Sequence, residues 1–326
     1  MKTVNLFYLA KPRFGGWVTF TAQLAKALRS VGLEVRLFQI TMRTENVQRP
    51  YFAGEHYQNI THELALAIAE QEPCIITALE PKNEDCLKTG TALIERNALF
   101  VMHDTAELAR HNLTLLTKAK IVVIRQQVAL ALKELGIASV YVKHPYTRIG
   151  NSKESRQYHV VATSRIDFDK HTEILIQANE LLSPEQRIRI YGNENRIYTH
   201  HKLDSQYPKW RENYFGRFKD ATKLVGASVY CVDMSLIKGD GGGTQYTFLE
   251  AFDMRTAVIV QREWLMGQEL VEGVNVLAVD NFEELATILT RKEPPPKNIL
   301  DQGEALLSQH SPTTIGDVYA ELLSGG

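Results

Sequence analysis

The feature that most constrains the fold is a regular alternation of short apolar segments with amphipathic ones. In the first half of the chain, residues 4–10, 74–78 and 98–102 are short, predominantly apolar runs, whereas residues 19–30 and 87–95 show helical spacing of apolar positions. Strands that are apolar on both faces and separated by helices are typical of a parallel sheet covered on both sides. The sequence therefore predicts an α/β protein with doubly wound parallel sheets.

A second series of the same kind follows a polar break in the middle of the chain. The first series ends at His144-Pro145-Tyr146, and residues 147–157 are polar and contain Gly150. Because 326 residues exceed one ordinary hydrophobic core, we predict two Rossmann-like domains, 1–150 and 151–326, facing a cleft. The second domain is predicted to hold six strands, at residues 159–163, 187–191, 213–215, 228–232, 257–260 and 274–278. The segment after Pro294-Pro295-Pro296 packs separately or crosses back to the first domain.

Composition and charge exclude several classes of function. Hydrophobic residues make up 44% of the chain and charged residues 23%, with a net charge of -1, so any polyanionic partner requires a local basic patch. Cys74, Cys86 and Cys231 form no Cys-x-x-Cys pair, which favours a reducing cytosol. The apolar N-terminus is too short for a signal peptide, and no charge-free run of about 18 residues predicts a membrane span. We expect a cytoplasmic protein without stable membrane anchoring, in the host cytoplasm if a phage encodes it.

Two glycines follow the first predicted strand. Gly15 and Gly16 open a helix, where backbone N–H groups and the helix N-terminus favour an anion or a sugar. The G-x-G-x-x-G fingerprint of dinucleotide-binding proteins is absent. The alternative interpretation is a tight turn between strand and helix.

A His-Asp pair follows the predicted strand 98–102. Open α/β sheets place ligand-binding groups at such strand ends, where His103 could contact a sugar and Asp104 could remove a proton. The alternatives are a hydrogen-bonded structural histidine and an aspartate that caps the next helix.

Two cations follow the first strand of the second domain. Arg165 offers a forked donor and Lys170 a point charge, and together they could neutralise a leaving diphosphate. The alternative is an exposed polar loop. Asp167 and Asp169 in the same loop resemble a two-carboxylate metal clamp, but the flanking cations reduce the need for a metal, and we predict none.

A glycine-rich segment precedes a predicted helix near residue 246. Gly241, Gly242 and Gly243 would expose a run of backbone N–H groups suited to phosphate, and Glu250 in the helix could bind ribose hydroxyls. The alternative is a flexible loop.

Together these motifs resemble the retaining glycosyltransferases of GT-B fold. In that family, Arg and Lys bind the donor diphosphate, and the second glutamate of a Glu-x7-Glu motif binds the nucleotide ribose; the positions here are Arg165, Lys170 and Glu250. The first glutamate is missing because Gly242 stands in its place. Either Asp240 substitutes for it or nothing does.

Within that family, four stretches are most similar to the T-even phage enzymes that attach a sugar to 5-hydroxymethylcytosine in DNA. They are the glycine turn with Val18-Thr19, the pair His103-Asp104, Arg165 with Lys170, and Tyr191-Gly192-Asn193 with residues 246–250.

The resemblance implies a UDP-sugar donor as substrate, with no cofactor required. It implies that His103 hydrogen-bonds the donor sugar, Asp104 is the base, and Gly192 and Asn193 border the nucleotide base. The implied catalytic residues are Asp104, His103, Arg165 and Lys170, and the implied donor-binding residues are Gly15, Gly16, Arg165, Lys170, Gly192, Asn193, Gly242, Gly243, Thr244, Tyr246, Thr247 and Glu250.

The same resemblance implies that the partner is double-stranded DNA carrying 5-hydroxymethylcytosine. Such an acceptor requires phosphate contacts, and base flipping could use Phe14 or Trp17 as a wedge. The available cations are Lys11, Arg13, Arg43, Arg49, Arg110, Arg125, Lys143 and Arg148.

Two alternatives remain open. One is a transferase that acts on a bacterial surface glycan or a lipid-linked glycan, which predicts membrane attachment. The other is a non-catalytic module that binds a nucleotide-sugar, and it is motivated by the missing first glutamate.

Overall fold

The fold is described from a computed structural model that places residues 2–10, 15–40, 51–52, 54–108, 110–150, 155–218, 220–236, 243–266 and 269–325. Contacts between Cα atoms divide the chain into two compact units, residues 1–147 with 309–326 and residues 148–308. Each unit has its own parallel sheet and its own hydrophobic core.

The first unit is built on a seven-stranded parallel sheet with the strand order β5-β2-β1-β6-β7-β8-β9. The central strands are buried at nearly every position because helices cover both faces, which explains their predominantly apolar sequence. Its strands are β1 (Thr3–Leu9), β2 (Glu34–Ile40), β5 (Gln58–Ile60), β6 (Cys74–Leu79), β7 (Leu99–Met102), β8 (Lys120–Val123) and β9 (Ser139–Tyr141), with a separate hairpin of β3 (Tyr51–Phe52) and β4 (Glu55–His56). Its first helices are α1 (Gly16–Ser30), α2 (His62–Ala69), α3 (Glu84–Ile94), α4 (Leu113–Leu116) and α5 (Gln126–Glu134).

The second unit has a five-stranded parallel sheet with the order β11-β10-β12-β13-β14. The predicted strand at residues 213–215 forms only a single bridge, from Tyr214 to Ile190. The strands are β10 (Tyr158–Ala162), β11 (Ile188–Ile190), β12 (Ser228–Asp233), β13 (Ala257–Gln261) and β14 (Leu277–Val279). The helices are α6 (Thr172–Leu181), α7 (Arg196–Tyr198), α8 (Ala221–Gly226), α9 (Tyr246–Asp253), α10 (Phe282–Leu289) and α11 (Lys297–Leu306).

The last helix, α12 (Pro312–Ser324), belongs to the first unit and packs against α1. The two helices approach closely at Gly316, where a Cβ atom would lie 2.3 Å from the carbonyl oxygen of Ala27. Ile315 and Tyr319 are buried on the same helix. Within the described ranges, no helix is long and apolar enough to cross a membrane.

The α/β architecture predicted from the sequence is confirmed. In both sheets the strand order reverses once, between β1 and β6 in the first unit and between β10 and β12 in the second. Loops that leave neighbouring strands on opposite sides of such a reversal diverge and open a crevice at the carboxyl edge of the sheet, where α/β proteins bind their ligands.

Candidate functional site

Three segments meet at the carboxyl edge of the second sheet. They follow β10, β11 and β12, which are neighbours in that sheet, and backbone hydrogen bonds join them. The N–H of Ile166 donates to the carbonyl of Asn193 at 2.9 Å, and the N–H of Leu236 donates to the carbonyl of Asp169 at 3.0 Å. The loop that carries Arg165 and Lys170 is therefore fixed on both sides.

Lys170 lies at the reversal between β10 and β12. Its side chain is buried, and Nζ donates to Oγ of Ser235 at 2.5 Å. The N–H of Ser235 donates to Oδ1 of Asp233 at 2.8 Å, and the hydroxyl of Ser235 donates to the same oxygen. Asp233 and Ser235 were not predicted as site residues, although both lie just after a predicted strand, as other predicted site residues do.

Arg165 is more exposed than Lys170, with 52% of its side chain accessible. Its guanidinium pairs with Asp167 at 3.0 Å and with Asp169 at 3.4 Å. Asp167 also accepts from Nδ2 of Asn195 at 2.8 Å. These two carboxylates are therefore partners of the arginine, and no cluster of metal-ligating side chains occurs in the described part of the chain.

Gly192 brings the β11 loop against the β10 loop. Its φ is +153°, and a Cβ atom there would lie 2.0 Å from the carbonyl oxygen of Ser164, next to Arg165. The adjacent Asn193 has a buried Oδ1 atom without a hydrogen-bond partner in the structure. A buried acceptor of this kind at a strand end is suited to a donor group of a ligand.

Thr244, at the end of the glycine-rich segment, makes two hydrogen bonds within the protein. Thr244 is fully buried, and its N–H and hydroxyl both donate to Oε2 of Glu269, at 3.0 and 3.1 Å. These two donors are therefore used within the protein rather than offered to a phosphate. Gly243 accepts from the indole N–H of Trp264 at 3.1 Å, and Gly242 lies outside the described residues. Trp264 and Glu269 were not foreseen because nothing local marks them.

Glu250 lies in α9 behind that segment. Its partly buried carboxylate makes no hydrogen bond or ion pair within the described residues, and burial, with a smaller effect of Asp220, raises its pKa to about 7. Tyr246 and Thr247 occupy the first turn of the same helix and are also partly buried. Asp240, which could replace the missing first glutamate, lies outside the described residues.

In the first unit, Gly15 and Gly16 stand at the start of α1. Gly15 has φ +143°, and a Cβ atom added at either glycine would meet no atom of the described residues within 4 Å. The backbone conformation accounts for a glycine at position 15.

His103 is buried at the end of β7 against Phe20, with ring centroids 4.9 Å apart. Burial lowers the pKa of His103 to about 4, so the imidazole is neutral at pH 7. Nε2 lies 2.8 Å from the carbonyl oxygen of Thr77, and only a protonated nitrogen satisfies that contact, so Nδ1 carries the lone pair. The described residues give Nδ1 no hydrogen-bond partner.

The backbone around His103 is held by two buried charged residues. Its N–H donates to Oε2 of Glu107 at 3.0 Å, and its carbonyl accepts from Nε of Arg125 at 3.1 Å. Asp104 caps the following turn, since its Oδ1 accepts from the N–H of Glu107 at 3.1 Å. The capping role that the sequence left open for Asp104 is therefore present, and it occupies one of the two carboxylate oxygens.

Several cations expected to contact DNA phosphates are engaged within the protein. Arg125 is only 8% exposed, Arg148 pairs with Asp253 and Glu304, and Lys143 bonds Gln309. Burial and these partners compete with a phosphate for the three cations. Arg110 is exposed, Trp17 is partly buried near His103, and Lys11, Arg13, Phe14, Arg43 and Arg49 lie outside the described residues.

No model of a known protein family matches the sequence, and no curated protein matches it. Solved structures do match over essentially the whole chain. Anabaena Alr3699/HepE in complex with UDP-glucose has a TM-score of 0.75 and 14% identity, with all of both chains covered. The pneumococcal O-GlcNAc transferase GtfA in complex with UDP and GlcNAc has a TM-score of 0.71, 10% identity and 99% coverage of each chain. An α-glucosyltransferase in complex with UDP-glucose and DNA containing an abasic site has a TM-score of 0.73, 12% identity and 99% coverage of each chain.

At these identities the likeness establishes the fold. The neighbours are GT-B glycosyltransferases, and the two parallel sheets with flanking helices match theirs. The GT-B fold predicted from the sequence is confirmed.

Proposed function

We propose that the chain is a retaining glycosyltransferase that moves a sugar from a UDP-sugar to a hydroxyl group, and that the acceptor is 5-hydroxymethylcytosine in DNA. The observation that carries the donor half is the placement of Arg165 and Lys170 on one loop at the strand-order reversal of the second sheet. Two cations at a ligand-binding edge fit a diphosphate. Structural neighbours crystallised with UDP or UDP-glucose support the choice of nucleotide.

The cations would act on the leaving group. When the glycosidic bond to the diphosphate breaks, negative charge develops on UDP, and fixed positive groups lower the energy of that charge. Lys170 is held in place by burial, and Arg165 can turn from Asp167 and Asp169 to phosphate oxygens because its side chain is half exposed. No metal ion is needed for this part of the reaction.

Glu250 and Asn193 would bind the nucleoside. The carboxylate of Glu250 has no partner among the described residues, so it can accept hydrogen bonds from both ribose hydroxyls. Oδ1 of Asn193, which has no partner among the described residues, can accept a hydrogen bond from an N–H group of the nucleotide base. Each contact would satisfy a polar group that the free protein leaves unsatisfied.

His103, Asp104 and the turn at Gly15 and Gly16 would serve the sugar and the acceptor. Nδ1 of the neutral His103 can accept a hydrogen bond from a sugar hydroxyl while Nε2 continues to donate to the carbonyl of Thr77. The second carboxylate oxygen of Asp104 can take the proton of the acceptor hydroxyl while the first caps the turn.

The test is incubation with UDP-glucose, UDP-N-acetylglucosamine or a UDP-pentose together with DNA that contains 5-hydroxymethylcytosine. Nucleoside mass spectrometry should show one added sugar, and DNA with unmodified cytosine should show none. Lys170→Ala should abolish both the mass gain and UDP release. Absence of UDP release with every donor and acceptor would leave a non-catalytic nucleotide-sugar-binding module.

A second candidate acceptor is a bacterial surface or lipid-linked glycan. The observation that favours it is the engagement of Arg125 and Arg148 within the protein, which removes two of the cations expected to hold DNA. UDP release that requires a glycan acceptor and does not increase with modified DNA would support the glycan acceptor instead.

A further inference from the structure

We propose that Asp233 and Ser235 are positioning residues that hold the ammonium group of Lys170 at the donor diphosphate. This inference rests on the proposed function of the site. Neither residue is expected to touch the substrate, because each acts through Lys170.

The three side chains form a continuous hydrogen-bonded chain across two strand ends. Lys170 lies after β10. Asp233 is the last residue of β12, and Ser235 lies two residues after it. β12 is the neighbour of β10 on the other side of the strand-order reversal. Lys170 is 8% exposed, Asp233 2% and Ser235 1%. A buried ammonium group requires a compensating anion, and Asp233 supplies it through one hydroxyl group.

The direction of the hydrogen bonds fixes the serine hydroxyl. Its single proton points to Oδ1 of Asp233, which also accepts the backbone N–H of Ser235 at 2.8 Å. The lone pairs of Oγ are therefore turned toward Lys170, whose Nζ lies 2.5 Å away. An ammonium group has three donors, and the described residues occupy one of them, so two are left for phosphate oxygens in this part of the structure.

The loop that carries Ser235 is itself held from both sides. Nε2 of Gln261, at the end of β13, donates to the carbonyl of Met234 at 3.0 Å, and the N–H of Leu236 donates to the carbonyl of Asp169 at 3.0 Å. The second bond joins this loop directly to the loop of Lys170. A shift of the serine would therefore move the lysine, which is the property of a positioning group.

The competing explanation is that Asp233 and Ser235 only stabilise their own turn. The two explanations differ in whether the effect of the serine depends on the lysine, and a double-mutant cycle measures that dependence. The variants are Ser235→Ala, Lys170→Ala and the double variant, with Asp233→Asn as the conservative change. Ser228→Ala is the matched control, because Ser228 is a buried serine at the opposite end of β12 whose hydroxyl bonds the carbonyl of Leu224 at 2.7 Å.

Binding of UDP is measured by calorimetry, and binding of uridine, which has no phosphate, by NMR titration. We expect Ser235→Ala to weaken UDP binding about 10-fold, at the low end for a hydrogen bond to a charged group, and to leave uridine binding within about 2-fold. In the Lys170→Ala background, the same serine change should alter UDP binding by less than about 2-fold. Asp233→Asn should weaken UDP binding without weakening uridine binding, and Ser228→Ala should change neither.

Equal losses of UDP and uridine binding in Ser235→Ala would overturn the positioning role, as would a full effect of the serine in the Lys170→Ala background. Neither result would contradict the proposed donor site. Failure of the unaltered protein to bind UDP would overturn the proposed function and this inference together.

Discussion

Replacement of Glu250 by glutamine should stabilise the ligand-free protein at neutral and alkaline pH while it weakens UDP binding. Glu250 is a partly buried carboxyl group to which the described residues give no partner, and its pKa is raised from its ordinary value of 4.5 to about 7 by burial and then by Asp220. Such a group destabilises the folded state whenever it is ionised. A residue of this kind is retained when a ligand uses the charge.

The size of the expected stability change follows from the pKa shift of Glu250. The folded protein binds a proton at Glu250 more tightly than the unfolded chain, so stability falls as pH rises from about 4.5 to about 7 and is then constant with respect to this group. At about 1.4 kcal/mol for each pKa unit, the penalty reaches about 3 kcal/mol at pH 8. Glutamine cannot ionise, so Glu250→Gln should recover most of that free energy at about pH 8 and little of it near pH 4.5.

The assay is urea unfolding of the unaltered protein and the variant at both pH values. Glu180→Gln is the control, because it removes the same formal charge from an exposed position on α6. A gain of stability in Glu250→Gln of equal size at both pH values, or a loss at about pH 8, would refute the reasoning. UDP titration of the same samples should show weaker binding for Glu250→Gln only.

Three further predictions concern stability. Gly192→Ala should destabilise the second unit by at least about 2 kcal/mol in urea unfolding, because the new Cβ atom would overlap the carbonyl oxygen of Ser164 at 2.0 Å; an unchanged midpoint would contradict this. His111→Phe should raise the Tm more at about pH 5 than at about pH 8, because both ring nitrogens are buried without partners among the described residues and burial lowers the histidine pKa to about 4, so stability is lost as pH falls below the unfolded value of 6.5. Arg156→Ala should cost about 2 kcal/mol in urea unfolding, because the guanidinium donates to main-chain oxygens at the ends of α8 and α9, and Arg156→Lys should restore only part of the loss.

The fold could be predicted because its signal is local. Strands buried on both faces must be apolar throughout, and the predicted strand at residues 159–163 lies within one residue of β10. Arg165 and Lys170 could be singled out for the same reason, since two cations directly after a buried strand stand at the ligand-binding edge. Their positions follow from chain order alone.

The partners of those residues could not be predicted, because they depend on which strands are neighbours. β12 lies beside β10 although β11 comes between them in sequence, and this order brings Ser235 to Lys170. The same limit applies to Thr244, whose donors are taken by Glu269 beyond β13. A glycine-rich segment before a helix indicates available N–H groups, but it does not indicate whether the protein itself uses them.

The two cations of the proposed donor site differ in how easily they can exchange partners. The pairs of Arg165 with Asp167 and Asp169 are half exposed, and such pairs contribute little to stability, so a diphosphate can replace the carboxylates at small cost. Lys170 is buried with Asp233 nearby, and separating that charge from its hydrogen-bonded chain would be expensive. In the proposed site, Lys170 would therefore act as a fixed charge that a ligand joins without displacing its partner, whereas Arg165 would exchange its carboxylate partners for phosphate oxygens. Added salt should accordingly weaken the arginine contact more than the lysine contact, because screening is stronger at the exposed pair.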